Sequence, residues 1–196
     1  MRVKDFTNKN AVQLLATQSR RTDISSTELC KIHFEMGKFL AYEMLDEFEL
    51  TEKEIQHVQG TRTGVELADK NSITIFALMR AGLYAAEGVR SVFSESQFNI
   101  YSSTEKIKND LENKTVIVVD AVINTGKSIE NIIEQLQKHK AKKIIIATLI
   151  MQKDAVYLAN KYADISFYAL RISENKYVGK GVTDTGNRLF NTTTEK

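Results

Sequence analysis

One segment of the sequence combines the chemical groups that hold a sugar phosphate. It reads Asp120-Ala121-Val122-Ile123-Asn124-Thr125-Gly126-Lys127-Ser128 and joins an apolar predicted strand to a predicted helix. Gly126 lets backbone N–H groups approach an anion, Thr125 and Ser128 add hydroxyl donors, and the positive end of the helix dipole favours a phosphate. Asp120, at the predicted strand end, is spaced to accept hydrogen bonds from a sugar attached to that phosphate. The segment therefore predicts a sugar-phosphate site.

The residues of this segment, taken alone, also allow two other interpretations. In the first, Asn124-Thr125-Gly126 is only a turn, and Thr125 caps the helix that follows. In the second, Gly126-Lys127-Ser128 ends a nucleoside-triphosphate loop of the form Gly-x-x-x-x-Gly-Lys-Ser. Ala121 stands where that loop requires its first glycine, and the later strand 143–151 is followed by Gln instead of a magnesium-binding Asp. Both departures count against the second interpretation.

Strands and helices alternate along the chain on both sides of this segment. Apolar runs predict strands over 73–79, 98–101, 115–120, 143–151 and 165–170. Helical spacing predicts helices over 26–48, from Gly82 through Val92, over 128–139 and over 154–162, whereas 102–113 is predicted to be a loop. This alternation predicts a mainly parallel sheet with helices on both faces. Ligands of such sheets bind beyond the carboxyl ends of the strands, where Asp120 and Arg80 both stand.

Composition and charge narrow the class of protein. The chain has 196 residues, of which 42% are hydrophobic and 27% are charged, which predicts one globular domain and excludes disorder and a membrane span. A net charge of +2 is too small to indicate a nucleic-acid partner, and the basic cluster Lys138, Lys140, Lys142 and Lys143 is interpreted as a solvated helix end. Cys30 is the single cysteine, which suits a reducing compartment, so the expected location is the cytoplasm.

Four segments resemble a known family. The strand-end acid followed by Thr125-Gly126 resembles the phosphoribosyl-pyrophosphate loop of the type I phosphoribosyltransferases. The other three resemble the uracil phosphoribosyltransferase family in particular. Its Leu-Arg-Ala-Gly loop is similar to Phe76-Ala77-Leu78-Met79-Arg80-Ala81-Gly82-Leu83, and its Leu-Leu-Ala-Tyr-Glu helix is similar to Phe39-Leu40-Ala41-Tyr42-Glu43. Its ending, Tyr-Ile-Val-Pro-Gly-Leu-Gly-Asp-Ala-Gly-Asp-Arg-Leu-Phe, is similar to Tyr177-Val178-Gly179-Lys180-Gly181-Val182-Thr183-Asp184-Thr185-Gly186-Asn187-Arg188-Leu189-Phe190. The ending is the specific match, because other phosphoribosyltransferases lack it.

The resemblance implies a fold and a domain organisation. The expected fold is the type I phosphoribosyltransferase α/β fold, a mainly parallel twisted sheet flanked by helices, with an irregular C-terminal segment that binds the base. The single domain is expected to comprise an N-terminal helical arm over 1–60, the core sheet over 70–172 and the base-binding tail over 173–196. A homodimer or higher homo-oligomer is expected, and the expected ligands are small molecules only.

The resemblance also implies a reaction and a set of site residues. The reaction joins uracil to phosphoribosyl pyrophosphate (PRPP), giving uridine monophosphate and pyrophosphate, with Mg²⁺ as cofactor on the diphosphate. Displacing pyrophosphate needs positioning and charge stabilisation, not a covalent nucleophile. The implied catalytic residues are Arg80, Asp120 and Asp184, with Asp184 reaching the metal through water. The implied PRPP-binding residues are Arg80, Ala81, Gly82, Asp120, Ala121, Asn124, Thr125, Gly126, Lys127 and Ser128, and the implied base-binding residues are Tyr177, Val178, Gly181, Val182, Thr183 and Asp184.

The sequence departs from the family pattern at several places. Ala121 replaces a proline and Lys127 a glycine in the phosphate loop, and the Tyr-Asp/Arg-x-x-Thr-x-x-Pro hood is missing from the shorter loop 102–113. Thr183 replaces a glycine beside the base, where its side chain would narrow the pocket, and Asn187 replaces an aspartate. Two alternatives therefore stay open: a non-catalytic sensor that binds PRPP or a nucleotide, and a phosphoribosyltransferase for a different pyrimidine-like base. Without the family, Arg80 is equally well a surface ion-pair residue and Asp184 a turn residue.

Overall fold

The computed structural model describes residues 3–102, 104–108, 110–176 and 179–192, and over these ranges the chain alternates strands with helices. The strands are β1 (Val3–Asp5), β2 (Leu50–His57), β3 (Gly60–Leu67), β4 (Ile73–Leu78), β5 (Gln97–Tyr101), β6 (Thr115–Ile123), β7 (Lys143–Gln152) and β8 (Ser166–Ser173). The α-helices are α1 (Asn10–Ser19), α2 (Ser26–Met44), α3 (Leu83–Val92), α4 (Lys127–Lys138), α5 (Tyr157–Lys161) and α6 (Thr185–Phe190).

The main sheet has the strand order β1-β8-β7-β6-β4-β5, and all of its neighbouring strands are parallel. Its inner strands are runs of β-branched and aliphatic residues, which suit strands that are covered on both faces. β4, for example, is buried at every position. The predicted α/β fold with a mainly parallel sheet is confirmed.

Each face of the sheet packs against its own set of helices. On one face, α4 and α5 bury apolar residues such as Ile132 and Leu158 against Val118 of β6. On the other face, α1, α2 and α3 cover a second core that contains Leu40 and Val89. This second face also supports the C-terminal tail, because the hydroxyl of Ser26 at the start of α2 donates a hydrogen bond to the carbonyl oxygen of Leu189 in α6.

Two glycines let α2 and α3 approach each other closely. A Cβ atom added at Gly37 of α2 would collide with the carbonyl oxygen of Ala85, and one added at Gly88 of α3 would collide with that of Phe34. Any larger residue at either position would push the helices apart. The two helices therefore meet backbone to backbone at this crossing.

The prediction that residues 1–60 form a helical arm is wrong at both ends. Val3–Asp5 is the edge strand β1, in which Val3 pairs with Phe167 of β8. Leu50–His57 is β2, which pairs in antiparallel register with Gly60–Leu67. A three-residue strand is too short to show a period, and the side chains of β2 are exposed throughout, so neither strand carries the apolar alternation that predicts one.

The predicted helix ends also need correction. The helix predicted over 26–48 ends at Met44 and continues as a 3-10 turn, Leu45–Glu47. The helix predicted over 154–162 is a 3-10 turn, Lys153–Val156, followed by the short α5. α1 and α6 were not predicted as helices. Within the described residues, no helix is both long enough and apolar enough to cross a membrane.

Candidate active site

The loop after β4 lies directly against β6. Ala77 pairs with Val119 in the last pair between these strands, and β6 continues to Ile123, so it extends past the end of β4. Gly82 packs against the part of β6 that extends past β4, and it fits there only because it has no side chain. An added Cβ would lie 2.6 Å from the carbonyl oxygen of Val119 and 3.2 Å from the Cα atom of Asp120. The peptide bond between Met79 and Arg80 is cis. The close packing at Gly82 holds the loop that carries Arg80 beside Asp120.

Asp120 does not stand at the strand end, as predicted, but inside β6, where it pairs with Thr148 of β7. Because β4 has already ended, Asp120 lies on the open step beside the loop of Gly82, and it stays partly accessible. Burial raises the pKa of its carboxyl to about 6, although hydrogen bonds with the backbone N–H groups of Ala121 and Val122 act in the opposite direction. The carboxylate is thus poorly hydrated and ready to accept hydrogen bonds from ligand hydroxyls.

The loop 124–128 turns the chain from β6 into α4. Gly126 precedes the first residue of α4 with φ of +79°, a conformation that side chains disfavour, and an added Cβ would lie 2.7 Å from Cδ1 of Leu158. Gly126 has no side chain that could cap α4, but the hydroxyl of Thr125 accepts a hydrogen bond of 3.5 Å from the backbone N–H of Lys127. Thr125, Lys127 and Ser128 are exposed around the helix start. Asn124 is partly buried at the start of the turn. An exposed helix N-terminus is a favourable place for a phosphate.

Arg80 reaches across to the C-terminal tail. Its Nη2 donates a hydrogen bond to Oδ1 of Asn187 at 2.8 Å and lies 3.7 Å from Oδ1 of Asp184, and its Nη1 donates to the hydroxyl of Thr192 at 3.2 Å. Asp184 in turn accepts a hydrogen bond of 2.8 Å from the backbone N–H of Asn187 and so caps α6. Gly186 makes room for these contacts, since an added Cβ would lie 3.3 Å from Nη2 of Arg80. The structure therefore brings Arg80 and Asp184 together, although they are far apart in the sequence.

The predicted base-binding residues are only partly described. Tyr177 and Val178 lie outside the described residues. Gly181–Thr183 forms a 3-10 turn in which Gly181 has φ of +54°, and Val182 is 62% exposed. The Thr183 hydroxyl accepts a hydrogen bond from the backbone N–H of Lys180 and donates one to its carbonyl oxygen, both at 3.0 Å. The hydroxyl is thus directed toward its own turn.

Two residues at this site were not predicted. Asn187 joins the tail to Arg80 and also donates a hydrogen bond of 3.1 Å to the carbonyl oxygen of Gly181. Arg188 donates hydrogen bonds to the carbonyl oxygens of Ser19 and Arg21, which fastens the tail to the end of α1. The only signal in the sequence was their position inside the matched tail motif.

The acidic residues at the site suit a metal that arrives with its ligand. Within the described residues, no group of three or more His, Cys, Asp and Glu side chains could hold a metal ion by itself. Asp120 and Asp184 are single carboxylates on either side of the loop that carries Arg80. Mg²⁺ commonly binds one or two carboxylates, several waters and substrate phosphates, so these residues fit such an ion.

Proteins of one known family match this chain over most of its length. The family model for uracil phosphoribosyltransferase matches residues 6–192. The chain belongs to the uracil phosphoribosyltransferase family. It is similar to the uracil phosphoribosyltransferase of Lactobacillus gasseri (30% identity, covering 94% of this chain and 96% of the relative) and to that of Finegoldia magna (26% identity, 88% and 90%). The resemblance inferred from the four sequence segments is confirmed.

Two solved structures share the fold of this chain. The AQ2163 protein from Aquifex aeolicus superposes with a TM-score of 0.82 at 21% identity, covering 98% of this chain and 100% of the other. A purine phosphoribosyltransferase from Pyrococcus horikoshii gives a TM-score of 0.51 at 22% identity, covering 73% and 85%. The expected type I phosphoribosyltransferase-like architecture is therefore confirmed.

Proposed function

We propose that this protein transfers the phosphoribosyl group of PRPP to uracil, forming uridine monophosphate and releasing pyrophosphate. Its relatives in the family are named for this activity. The observation that carries the proposal is the contact between Arg80, from the loop after β4, and Asp184, from the tail. The loop of Arg80 packs against Asp120, and the strand of Asp120 leads into the exposed start of α4. These are the groups that the reaction needs at the two ends of PRPP.

Each group has a role that follows from charge. Breaking the bond between the ribose and pyrophosphate places positive charge on the ribose and negative charge on the leaving group. Arg80 would bind the departing pyrophosphate through its fork of donors, and Asp120 would hold the ribose hydroxyls. The loop 124–128, with Ala121 before it, would hold the 5′-phosphate, because its backbone N–H groups and the helix dipole favour an anion. No covalent nucleophile is required.

The base and the metal complete the proposal. The backbone of Gly181–Thr183, together with Tyr177 and Val178, would read the edge of uracil. Mg²⁺, when bound to the diphosphate, would neutralise part of the charge on the leaving group. Asp184 would hold that ion through water, and Ala81 and Gly82 would let the loop backbone approach the diphosphate.

The proposal also covers the setting of the enzyme. Its partners would be PRPP and a pyrimidine base, and it would bind neither nucleic acid nor a membrane. It would work in the cytoplasm as a homodimer or higher homo-oligomer. The modest net charge of +2 argues against a nucleic-acid partner, and the family match over residues 6–192 supports the small-molecule partners. Light scattering after size exclusion would determine the oligomeric state.

A direct assay tests the reaction. The purified protein is incubated with PRPP, Mg²⁺ and uracil, and both pyrophosphate and uridine monophosphate are quantified, with cytosine, orotate and hypoxanthine as competing bases. We expect turnover with uracil, and equal amounts of the two products. Tight PRPP binding by calorimetry without release of pyrophosphate would refute the enzymatic proposal and favour a sensor. Turnover with another base only would refute the uracil assignment.

A further inference from the structure

A cavity with a cationic lining lies behind the loop that follows Asp120. Its volume is about 60 Å³, and it is enclosed by the end of α1, the inner face of α2, the ends of β6, β7 and β8, and the tail helix α6. Its ionisable lining residues, among those described, are Arg20, His33, Arg171 and Arg188. No Asp or Glu is among the described lining residues. Three arginines and no acidic residue therefore line the cavity among the described residues.

The three arginines have no carboxylate to balance them. Arg20 donates from Nε to the carbonyl oxygen of Ala16 at 2.9 Å, and both Nη atoms of Arg188 donate to backbone carbonyls at the end of α1. Among the described residues, none of Arg20, Arg171 and Arg188 forms an ion pair. Three arginines thus line one small space without an ion pair among these residues.

Two polar atoms in this lining lack a hydrogen-bond partner among the described residues. They are Nε of Arg171 and Nδ1 of His33, and both atoms are buried. His33 is only 5% exposed. A buried polar atom without a partner costs free energy, and a buried charge without one costs more. The Nε–H of Arg171 can only donate a hydrogen bond, so the group that completes it must be an acceptor.

The shifts in pKa agree with an excess of positive charge. Burial, and then the charge of Arg20, lowers the pKa of Arg171. Burial, and then the charge of Arg188, lowers the pKa of His33 to about 4, so His33 is neutral at physiological pH. No acidic group contributes to either shift. Burial is the main cause of both shifts, and the charge that adds to each comes from an arginine.

The size of the space selects the class of ligand. A volume of about 60 Å³ corresponds to roughly four water molecules and so admits one compact polyatomic anion. Guanidinium groups bind phosphate, sulfate and carboxylate oxygens through paired hydrogen bonds. A whole nucleotide exceeds this volume, but a single oxyanion group does not.

We propose that this cavity is a second oxyanion site, distinct from the loop 124–128, and that Arg20, Arg171 and Arg188 bind the anion there. Its ligand is a tetrahedral oxyanion or the carboxylate of a small molecule. The cavity touches Ala121 and Val122 on the sheet side and Thr185 and Arg188 on the tail side. A bound anion would therefore tie the tail to the end of β6, next to Asp120. This proposal does not depend on the transfer of a phosphoribosyl group to uracil.

Selenate, an analogue of sulfate, tests the site. Thermal unfolding is followed in buffer free of phosphate and sulfate while selenate is added, with sodium chloride at equal ionic strength as the reference. We expect a saturable rise in melting temperature for the wild type and for Arg90→Gln, a matched change at an exposed arginine on α3. Arg171→Gln should bind selenate at least tenfold more weakly, yet be as stable as the wild type without selenate, because it loses an uncompensated charge.

Crystals soaked in selenate locate the anion. An anomalous selenium peak among Arg20, Arg171 and Arg188 is expected, whether or not a second peak lies at the loop 124–128. A peak at that loop alone, or an equal selenate response of Arg171→Gln and the wild type, would overturn the proposal. Arg20→Gln provides the same comparison if Arg171→Gln fails to fold.

The source of the natural oxyanion is tested by competition. Orotate, a pyrimidine carboxylate, is added to the selenate titration, with uracil as the uncharged control. Displacement of selenate by orotate and not by uracil would assign the cavity to the carboxylate of a pyrimidine ligand. Selenate binding that neither base changes would assign it to a free oxyanion such as phosphate.

Discussion

Arg80 donates a hydrogen bond of 2.8 Å to Oδ1 of Asn187, and this contact joins the loop after β4 to a tail that is 107 residues away in sequence. Asn187 also donates to the carbonyl oxygen of Gly181, so one amide group links Arg80 to the turn proposed to read the base. The pyrophosphate end and the base end of the proposed site are therefore connected through a single side chain.

Replacing that side chain should impair catalysis more than folding. For Asn187→Ala we expect kcat/KM for uracil to fall about 5- to 20-fold, which corresponds to the ~1–2 kcal/mol that a hydrogen bond to a charged group contributes. Steady-state kinetics at saturating PRPP measures the fall. Asn131→Ala, an exposed change on α4, serves as the control and should behave as the wild type. Unchanged kinetics in Asn187→Ala would show that this link is not used.

Asp120→Asn should lose activity and gain stability. The pKa of Asp120 is raised by burial to about 6, so the folded state binds a proton more tightly than the unfolded state does. That carboxylate therefore lowers stability as pH rises from about 4 to 6, and above this range it costs up to about 3 kcal/mol. Asparagine removes the charge and with it the cost.

Two measurements check Asp120→Asn. Urea unfolding at pH 5 and pH 8 should show the variant gaining stability relative to the wild type at pH 8, with a smaller difference at pH 5. Calorimetry should show weaker PRPP binding at pH 8. A parallel loss of stability and of binding would instead assign Asp120 a structural role.

Glu47 should make the fold sensitive to acid. Burial alone would raise the pKa of Glu47, but hydrogen bonds with Lys143, Tyr168 and Lys4 outweigh it and lower the pKa to about 2. Because the folded value lies below the unfolded one, the carboxylate stabilises the fold above pH 4.5, and this contribution is lost as pH falls toward 2. After allowance for solvent screening, we expect it to be about 1–2 kcal/mol.

Glu47→Gln isolates this effect. Its deficit in the free energy of unfolding relative to the wild type should be full at pH 7 and should shrink between pH 4.5 and pH 2, as followed by urea titration. The neighbouring Asp46→Asn is the control, since Asp46 is exposed. A deficit that is the same at every pH would mean that packing, not charge, explains the loss.

Gly82→Ala should disturb the packing of the loop after β4 against β6. Its Cβ would lie 2.6 Å from the carbonyl oxygen of Val119 and 2.7 Å from that of Leu78, and backbone atoms cannot move aside cheaply. We expect a loss of stability of about 1–3 kcal/mol and a larger fractional loss of activity. Gly64→Ala, which meets only the flexible side chain of Ile55, is the comparison. Equal effects of the two changes on melting temperature would contradict the close approach at Gly82.

The sequence predicted those residues of the site that directly follow a recognisable strand. Asp120, the loop 124–128 and Arg80 follow apolar strands, and the ends of neighbouring parallel strands must share one edge. The position of Asp120 inside β6 was missed because strand length depends on pairing with β7, which no local pattern records. The edge strand Val3–Asp5 was missed for the same reason, because its partner β8 is over 160 residues away.

The cationic cavity could not have been predicted from the sequence. Arg20, His33, Arg171 and Arg188 belong to four separate elements, namely the end of α1, α2, β8 and α6. Each of them has the sequence context of an ordinary polar residue of a helix or a strand. Only the folded structure places them around one space. The same holds for Asn187, whose importance follows from the two groups that it contacts.

The close contact of α2 and α3 at their glycines links two parts of the proposed site, the loop of Arg80 and the C-terminal tail. α3 begins directly after the loop of Arg80, and the first residue of α2 holds the tail through Leu189. Because no side chains separate the two helices at Gly37 and Gly88, their backbones are in direct contact and the pair packs as one rigid unit. The loop of Arg80 and the tail are both attached to this helix pair, so a methyl group added at Gly37 or Gly88 would push the helices apart and lengthen the distance between Arg80 and Asn187.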